Sequence, residues 1–463
     1  MKPAPKPVRV HLAQEAASVT GYSTSRLRYA IRTLLHTAGL PVVFTDHVGR
    51  AHIIYGTADA PGGSGLHIPI HPPGDWMTGP MFDLDVSGGH ASFDPISAAA
   101  ALLGLEAEDG LQRDRHGRPL PAGHVLFEHD RLHRPVIDAW ANALRDRFAD
   151  HHPVPRWPGE ARSMLVLTHD VDYPDIIRWI EALRVLRRGP RGLLLAASIL
   201  SGRQSFWQFD RLMDLEADRG LRSAFYICPA NTDLRGYLTR APDTMYDPRS
   251  PRYREVIARM RERGFEVGLH TSYEAWQSSR SIADEKAVVE DVVGRAIEGN
   301  RHHYWHMDPD APFTTLRHHA AAGFRYDSSL GFAHTAGWRC GISVPHRLLD
   351  PADETELDGL WQLPPALMDD HAFGYLDHAR QSSADELADD VVAGAEEVGG
   401  VLVVNLHQRV LNEDLFPGWG RLYERVLNVM ERPGWGHATP RDLIAHWSDR
   451  EDRLLRAERA AGA

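Results

Sequence analysis

The sequence predicts an α/β fold built on parallel strands. From residue 163 onward, short apolar runs alternate with helical patterns, and such alternation over roughly 290 residues indicates parallel strands joined by helical crossovers. The clearest run, Met164–Thr168, is followed by Asp170 and Asp172, two carboxylates that strand periodicity aims to the same side. A barrel and a doubly wound sheet both fit this pattern. In either fold the chemistry belongs at the carboxyl ends of the strands.

The first 150 residues differ in texture from the rest, and the chain of 463 residues is long enough for two domains. Apolar runs predict strands at 8–12, 42–44 and 53–55, and helical patterns lie at 25–38, 95–105 and 135–148. Three prolines interrupt residues 151–160, which predicts a linker. We therefore expect an N-terminal α/β domain of unknown role at 1–150, the linker at 151–160, a second α/β domain at 161–450 and a flexible tail at 451–463.

The second region carries the regular alternation. Its predicted strands are 164–168, 222–227, 265–270, 302–306, 324–327, 360–364, 401–406 and 436–439. Its predicted helices are 175–187, 206–219, 252–263, 283–298, 313–322, 384–397, 419–431 and 440–448. The last helix has a clear start, because the Thr439 hydroxyl can cap it and Pro440 suits its first turn.

Composition excludes several classes of protein. The net charge of −12 argues against a general nucleic-acid binder, and it does not favour an anionic membrane surface either. Cys228 and Cys340 stand far apart in no paired motif, so they indicate neither a disulfide framework nor a cysteine zinc site. No apolar run reaches the ~18 residues of a spanning helix, and the first residues show no secretory apolar segment. We expect a cytoplasmic protein with no transmembrane segment.

Acids and imidazoles follow one predicted strand after another. Asp170 and Asp172 end the first run, His270 ends the run from 265, and His407 follows the run from 401. Arg301, His302, His303 and His306 surround another short run, and Asp369, Asp370 and His371 follow Met368. Carboxylate and imidazole together are the ligands of a catalytic divalent metal that keeps an open position for water.

The order and spacing of these motifs resemble the NodB-like polysaccharide deacetylases, in the branch that carries D-x-D in place of adjacent aspartates. The resemblance rests on Thr168–Asp172, Gly268–Tyr273, Asn300–Tyr304 and Leu406–His407, and it covers roughly residues 160 to 448. The segments Ala322–Phe332 and Gly337–Gly341 also look like this branch. The preceding region, with Asp114–Arg118 and Arg134–Pro135, resembles the uncharacterised N-terminal domain often fused to it.

The resemblance implies a distorted (β/α) barrel that hydrolyses acetyl groups on sugars with a bound divalent metal. Residues 161–450 are then the catalytic domain. By position, Asp170 matches the general base and Arg301 the arginine that holds it, while His407 matches the general acid. Asp172 and His270 match metal ligands. Zinc is the metal the resemblance favours, with iron, manganese and cobalt as alternatives.

One position departs from the family pattern. The second metal histidine of the family lies four residues after the first, and here Glu274 occupies that position. Glutamate can ligate zinc, but two carboxylates would make the metal less electrophilic and shift the preference toward iron, manganese or magnesium. Alternatively, Glu274 points away and His303 on the neighbouring strand completes the site. The sequence leaves both alternatives open, together with a third in which the chain has no tight metal site.

The expected function is metal-assisted removal of acetyl groups from a carbohydrate or sugar conjugate. Asp369 or Asp370 would hold His407 as imidazolium, because an adjacent carboxylate favours the charged ring. The aromatic rings of Tyr273 and Trp305, and also those of Trp338 and Trp419, are candidate walls for sugar stacking. Two other functions remain open: a catalytically inactive carbohydrate-binding protein on the same fold, and a scaffold that works through its N-terminal domain.

Overall fold

The structure is a computed structural model that describes residues 3–57, 65–72, 74, 83–229, 232, 243–373 and 384–462. Its N-terminal region contains a four-stranded parallel sheet in the order β2-β1-β3-β4. The strands are β1 Val8–Leu12, β2 Val42–Phe44, β3 Ile53–Gly56 and β4 Leu66–Pro69. The strands predicted at 8–12, 42–44 and 53–55 are therefore confirmed.

Helices cover this sheet. They are Ala16–Thr20, Thr24–Ala38, Pro95–Leu103, Val125–Glu128 and Val136–Arg147. Asp94 caps Pro95–Leu103 by accepting hydrogen bonds from the backbone N–H groups of Ile96 and Ser97. Every residue of that helix is buried, which explains why its sequence consists of small and apolar residues on all sides.

A second, larger sheet contains the remaining strands. They are β5 Ser163–Val171, β6 Ala224–Ile227, β7 Glu266–Thr271, β8 Gly299–His302, β9 Tyr326–Asp327, β10 His346–Asp350, β11 Thr355–Gln362, β12 Leu367–Met368, β13 Val401–Asn405 and β14 Trp435–His437. Their order is β10-β11-β9-β8-β7-β6-β5-β13-β12, and β14 also pairs with β5. All these pairs are parallel except β10 with β11.

This sheet curls into a distorted barrel. Seven inter-strand steps separate β11 from β12, a distance of about 34 Å in a flat sheet. The chain from Gln362 to Leu367 bridges the same two strands in five Cα steps, which span at most about 18 Å. Within that bridge Leu363 N–H donates to Asp327 O on β9, and Ala366 N–H donates to Val403 O on β13. The predicted distorted (β/α) barrel is confirmed.

Ten helices are described from residue 163 onward. They are Arg178–Val185, Pro190–Leu200, Phe209–Ala217, Pro251–Glu262, Ser279–Val293, Pro312–Ala321, Asp369–Phe373, Ala384–Val398, Trp419–Leu427 and Pro440–Gly462. No helix among the residues that the structure describes is both long and apolar enough to cross a lipid bilayer.

The strand predicted at 302–306 is wrong. Strand β8 ends at His302, and residues His303–Trp305 form a 3-10 turn. Tyr304 and Trp305 have φ angles of 59° and 51°, left-handed values that no β-strand can contain. The predicted strand 324–327 is likewise shorter, since only Tyr326 and Asp327 pair.

The C-terminal residues are helical, where the sequence predicted a flexible tail from 451. The helix that begins at Pro440 continues to Gly462 because its apolar side keeps helical spacing and Leu454 is fully buried. Near its end, Glu458 Oε1 accepts a hydrogen bond from Val42 N at 2.8 Å and lies 2.6 Å from His36 Nε2. The helix thus joins the larger sheet to the N-terminal one.

The predicted linker has little regular structure, but it is packed. Arg156 and Trp157 are buried and donate to the backbone oxygens of Val398 and Gly399. The division of the chain at residues 150 and 160 stays a prediction.

Candidate active site

The carboxyl ends of the central strands bring three of the predicted metal ligands together. Asp172 directly follows β5, His270 lies on β7, and His303 directly follows β8. His270 Nε2 is 3.1 Å and His303 Nε2 is 3.6 Å from Asp172 Oδ1. One ligand atom from each of the three side chains lies within 4.8 Å of the others. All three residues are buried.

Unsatisfied polar atoms mark this cluster as a cation site. Asp172 Oδ1 and His303 Nε2 are buried and have no hydrogen-bond partner among the described residues, which is costly unless a cation binds there. The other ring nitrogens are occupied: His270 Nδ1 is 2.8 Å from Arg301 O, and His303 Nδ1 is 3.1 Å from Asp243 Oδ1. These contacts orient both Nε2 atoms toward Asp172, and a set of two imidazoles and one carboxylate suits zinc.

Glu274, the alternative second ligand, lies outside the cluster. Its side chain is exposed, and its Oε2 accepts a hydrogen bond from Gln277 Nε2 at 3.0 Å. The four-residue spacing brings side chains together only on one helix face. Here His270 lies on a strand and Glu274 precedes a 3-10 turn, so the two side chains diverge.

A second carboxylate, Asp170, is held beside the cluster. Arg301 Nη1 lies 3.1 Å from its Oδ1, and Asn405 Nδ2 donates to its Oδ2 at 2.7 Å. Burial alone would raise the pKa of Asp170, but the charges of Arg301, His270 and His407 together outweigh burial and the pKa is lowered. Asp170 therefore stays an anion and can accept a proton.

Arg301 is itself fully buried and tightly bound. It donates to Thr168 Oγ1 at 2.8 Å and to Ser328 O at 3.0 Å, and its guanidinium lies over the Tyr226 ring at 4.7 Å. The sequence reasoning did not predict Asn405. The feature of the sequence that could have indicated Asn405 is an amide at the end of an otherwise apolar strand, two residues before His407.

His407 contacts the other oxygen of the Asp172 carboxylate. The imidazoles of His270 and His303 face Oδ1, whereas His407 faces Oδ2. Its Nε2 is 3.1 Å from Asp172 Oδ2, and its Nδ1 is 2.9 Å from Asp369 Oδ1. Burial alone would lower the pKa of His407, but the carboxylates of Asp369 and Asp172 raise the pKa well above its ordinary value. His407 is therefore held as a cation that can donate a proton.

Asp369, and not Asp370, is the partner of His407. Its Oδ2 also accepts a hydrogen bond from the His407 backbone N–H at 2.7 Å. Burial and the neighbouring Asp369 charge raise the pKa of Asp370 to about 6. Asp369 was one of the two predicted partners of the imidazole and lies against it; its second predicted role, in binding substrate, stays a prediction.

All four aromatic residues proposed as sugar-stacking walls are buried, including Tyr273 at 8% exposure. Trp305 is 4% exposed and Trp338 is fully buried, while Trp419 is 7% exposed. The Trp305 ring covers Gly331 so closely that a Cβ there would lie 2.6 Å from it. Tyr273 stacks on His306 at 3.9 Å, and its hydroxyl is 2.9 Å from His116 Nδ1. Because the three tryptophan rings are buried against other protein atoms, their faces have no room for a sugar.

A segment of the N-terminal region reaches the candidate site, which the sequence reasoning did not predict. Arg118 Nη1 donates to Tyr304 O at 3.0 Å, and the His116 ring lies 4.9 Å from the Tyr304 ring. Arg118 is held in turn by Asp114, whose Oδ2 is 2.7 Å from Arg118 Nη2. The segment Asp114–Arg118 thus supports the turn that carries His303. The feature of the sequence that could have indicated this contact is the group of charged residues around Gly117.

Comparison with known proteins finds similar solved structures, although neither a protein family profile nor a curated protein matches the sequence. A probable polysaccharide deacetylase from Pseudomonas aeruginosa PAO1 is 18% identical with a TM-score of 0.43, over 64% of this chain and 94% of that one. PuuE allantoinase is 16% identical with a TM-score of 0.43, over 64% and 93%.

A polysaccharide deacetylase from Bacillus cereus is 11% identical with a TM-score of 0.27, over 59% of this chain and 89% of that one. This chain is similar to polysaccharide deacetylases, as its motifs predicted. At TM-scores this low, what the site can do is decided by its own geometry.

The geometry combines three chemical functions within one small volume. The carboxylate of Asp170 is held as an anion, and the imidazole of His407 is held as a cation. Beside them, two imidazoles and one carboxylate form a cluster that can bind a metal ion. A base, an acid and a Lewis-acid position are the parts that hydrolysis of an unactivated amide or ester requires.

Proposed function

We propose that this chain is a metal-dependent hydrolase that removes acetyl groups from an acetamido sugar or a related carbohydrate. The observation that carries the proposal is the separation of proton roles at one site. Asp170 is kept ionised by Arg301, and His407 is kept protonated by Asp369, both next to the same Asp172 carboxylate group. Two titratable groups whose surroundings push their pKa values apart are characteristic of an acid and base pair.

Asp172, His270 and His303 would hold the metal, with zinc as the first candidate. When bound, a zinc ion supplies Lewis acidity to the acetyl carbonyl and to the attacking water. Asp170 accepts the proton of that water, while Arg301 and Asn405 keep its carboxylate oriented. His407 donates a proton to the departing nitrogen or oxygen, and Asp369 keeps the ring oriented and charged. The products are acetate and the free amine or alcohol of the sugar.

The substrate class is supported by the resemblance of the motifs and by the fold. A carbohydrate or sugar conjugate with an accessible acetyl group is the expected substrate, and the net charge of −12 disfavours nucleic acid. The alternative function on the same fold is an inactive carbohydrate-binding protein. The intact base, acid and ligand set favours the enzyme.

Replacing the base separates these two functions. We expect the zinc-loaded wild-type protein to release acetate from N-acetylglucosamine oligomers, and Asp170→Asn to lower kcat by at least about 100-fold because general-base catalysis is lost. Metal content should be unchanged, because Asp172, His270 and His303 remain. Asp284→Asn, which changes an exposed acid on the helix Ser279–Val293, is the matched control and should keep full activity.

Acetate release and bound metal are measured on the same samples, and O-acetylated sugars are assayed in parallel. A wild-type protein that binds metal and sugar but releases no acetate from either substrate class would establish the binding protein. Full activity in Asp170→Asn would contradict the assigned base.

A further inference from the structure

A single helical hairpin carries the exposed apolar surface of the described residues. The large apolar side chains that are exposed there are Trp179 (49%), Leu183 (60%), Leu186 (40%), Leu193 (64%), Leu194 (77%) and Leu200 (59%). All six lie between residues 178 and 203, which we name the basic hairpin. It contains the helix Arg178–Val185, the 3-10 turn Leu186–Arg188 and the helix Pro190–Leu200. The concentration of exposed large apolar side chains on one short segment indicates an interaction site.

The basic hairpin is already packed onto the protein by a different face. Ala182, Val185, Ala196 and Ile199 are buried in a cluster with Phe206 and Leu415. The two helices cross closely, since a Cβ on Gly192 would lie 2.1 Å from Val185 O. Arg188 Nη2 donates to Leu415 O at 2.7 Å, and Arg178 Nη1 donates to Ile199 O at 2.7 Å. The exposed leucines therefore form a second apolar face and are not core residues left undocked.

The charge of the hairpin is opposite to that of the chain. Residues 178–203 contain six arginines and one glutamate, so their formal net charge is +5, whereas the whole chain carries −12. The arginines are Arg178, Arg184, Arg187, Arg188, Arg191 and Arg203, and all but the first are exposed. Arginines flanking leucine and tryptophan are the composition of a helix that lies in the interface of an anionic bilayer.

The hairpin also adjoins the candidate active site. It follows the strand that carries Asp170 after a short loop, and Tyr173 in that loop packs against the hairpin's buried cluster. The same Tyr173 ring lies 5.0 Å from the guanidinium of Arg409, two residues after His407. Tyr173 therefore links the hairpin to the segment that follows His407.

We propose that the basic hairpin docks this protein on an anionic phospholipid membrane. The leucines and Trp179 enter the boundary between headgroups and acyl chains, and the arginines contact lipid phosphates. This arrangement would bring the carboxyl ends of the strands to the lipid surface, where a sugar carried on a lipid is accessible. That last extension rests on the proposed function; docking does not.

Vesicle binding by the full chain tests the proposal. We expect the wild-type protein to sediment with vesicles of phosphatidylcholine mixed with phosphatidylglycerol, to bind phosphatidylcholine alone much more weakly, and to be released by salt. The paired change Leu193→Ser and Leu194→Ser removes apolar surface, and Arg187→Gln with Arg191→Gln removes charge. Each pair should lower partitioning about tenfold or more.

Arg219→Gln with Arg280→Gln is the matched control, because both arginines are exposed and lie outside the hairpin. Unchanged melting curves establish that the variants fold. The absence of wild-type binding to the mixed vesicles overturns the proposal, and so does equal binding by wild type and hairpin variants. A wild-type dimer that ignores vesicles and dissociates in the leucine variant would assign the face to a second copy of this chain.

Acetate release from water-soluble N-acetylglucosamine oligomers is measured separately. Loss of vesicle binding with unchanged acetate release would separate docking from catalysis. Vesicle binding by a protein that hydrolyses nothing would leave docking standing and remove only the lipid-linked substrate.

Discussion

His303 decides the composition of the candidate metal centre. It is followed by two residues in left-handed conformation, Tyr304 and Trp305, and each such non-glycine residue costs of order 1–3 kcal/mol. The resulting sharp turn brings the His303 ring out of the strand direction and toward Asp172. Glu274, at the position the family pattern suggests, is exposed instead. The backbone therefore supplies the second imidazole from the neighbouring strand.

Replacing each alternative ligand tests this assignment. His303→Ala should weaken zinc binding by at least about 100-fold, because the metal loses the Nε2 ligand that faces Asp172. Glu274→Ala should leave zinc affinity unchanged and serves as the control. Competition with a chromophoric chelator measures both affinities. A large loss in Glu274→Ala would contradict the assignment.

At the scale of elements, the segment Asp114–Arg118 and the turn after β8 form one unit. The turn carries His303, and its Tyr304 carbonyl accepts a hydrogen bond from Arg118. Gly117 has a φ of 71° and packs against Pro309, where a Cβ would lie 2.8 Å from the proline Cβ. A segment of the N-terminal region thus supports the backbone that positions a metal ligand.

We expect Arg118→Met to weaken zinc binding about tenfold, the usual effect of losing a contact that orients a ligand. Arg113→Met is the control, because Arg113 is exposed and its Nη1 donates to Gly117 O within the same loop. Zinc titration of both variants measures the effect. Equal affinities in the two variants would show that the N-terminal segment does not orient His303.

At the scale of the whole molecule, Glu266 joins three elements inside the protein. Its Oε1 accepts from the Tyr326 hydroxyl at 2.7 Å and its Oε2 accepts from Arg441 N–H at 2.9 Å, linking β7, β9 and the C-terminal helix. Burial outweighs these hydrogen bonds and raises the pKa of Glu266 from 4.5 to about 7. The folded protein therefore keeps Glu266 protonated at pH values where the unfolded chain has ionised it.

This difference makes stability fall as pH rises between 4.5 and about 7. Below this window both states are protonated and the contribution is fully present; across it the loss amounts to about 3 kcal/mol, at 1.36 kcal/mol for each pKa unit. Glu266→Gln cannot titrate, so its stability should fall less over the window. Urea unfolding of both proteins at several pH values measures the slopes. Parallel slopes, with a constant offset due to the lost hydrogen bond, would contradict the prediction.

The sequence by itself determined the alternation of strands and helices and the placement of acids and imidazoles at strand ends. Both follow from local properties, namely apolar runs, turn residues and the direction of side chains along a strand. Most elements of the larger sheet could be predicted in this way, whereas the choice of a barrel over a doubly wound sheet came from the resemblance of the motifs. Asp170, Asp172, His270 and His407 could be selected because each follows an apolar run.

Only the tertiary structure decided which of the competing residues meet. The choice of His303 over Glu274 depends on the turn after β8, and the choice of Asp369 over Asp370 depends on how β12 lies beside β13. The basic hairpin could not be predicted from composition either. The net charge of −12 is a total over the whole chain, whereas a membrane contacts a single surface. Contacts between distant residues and the exposure of a face are properties of packing, which periodicity along the chain does not contain.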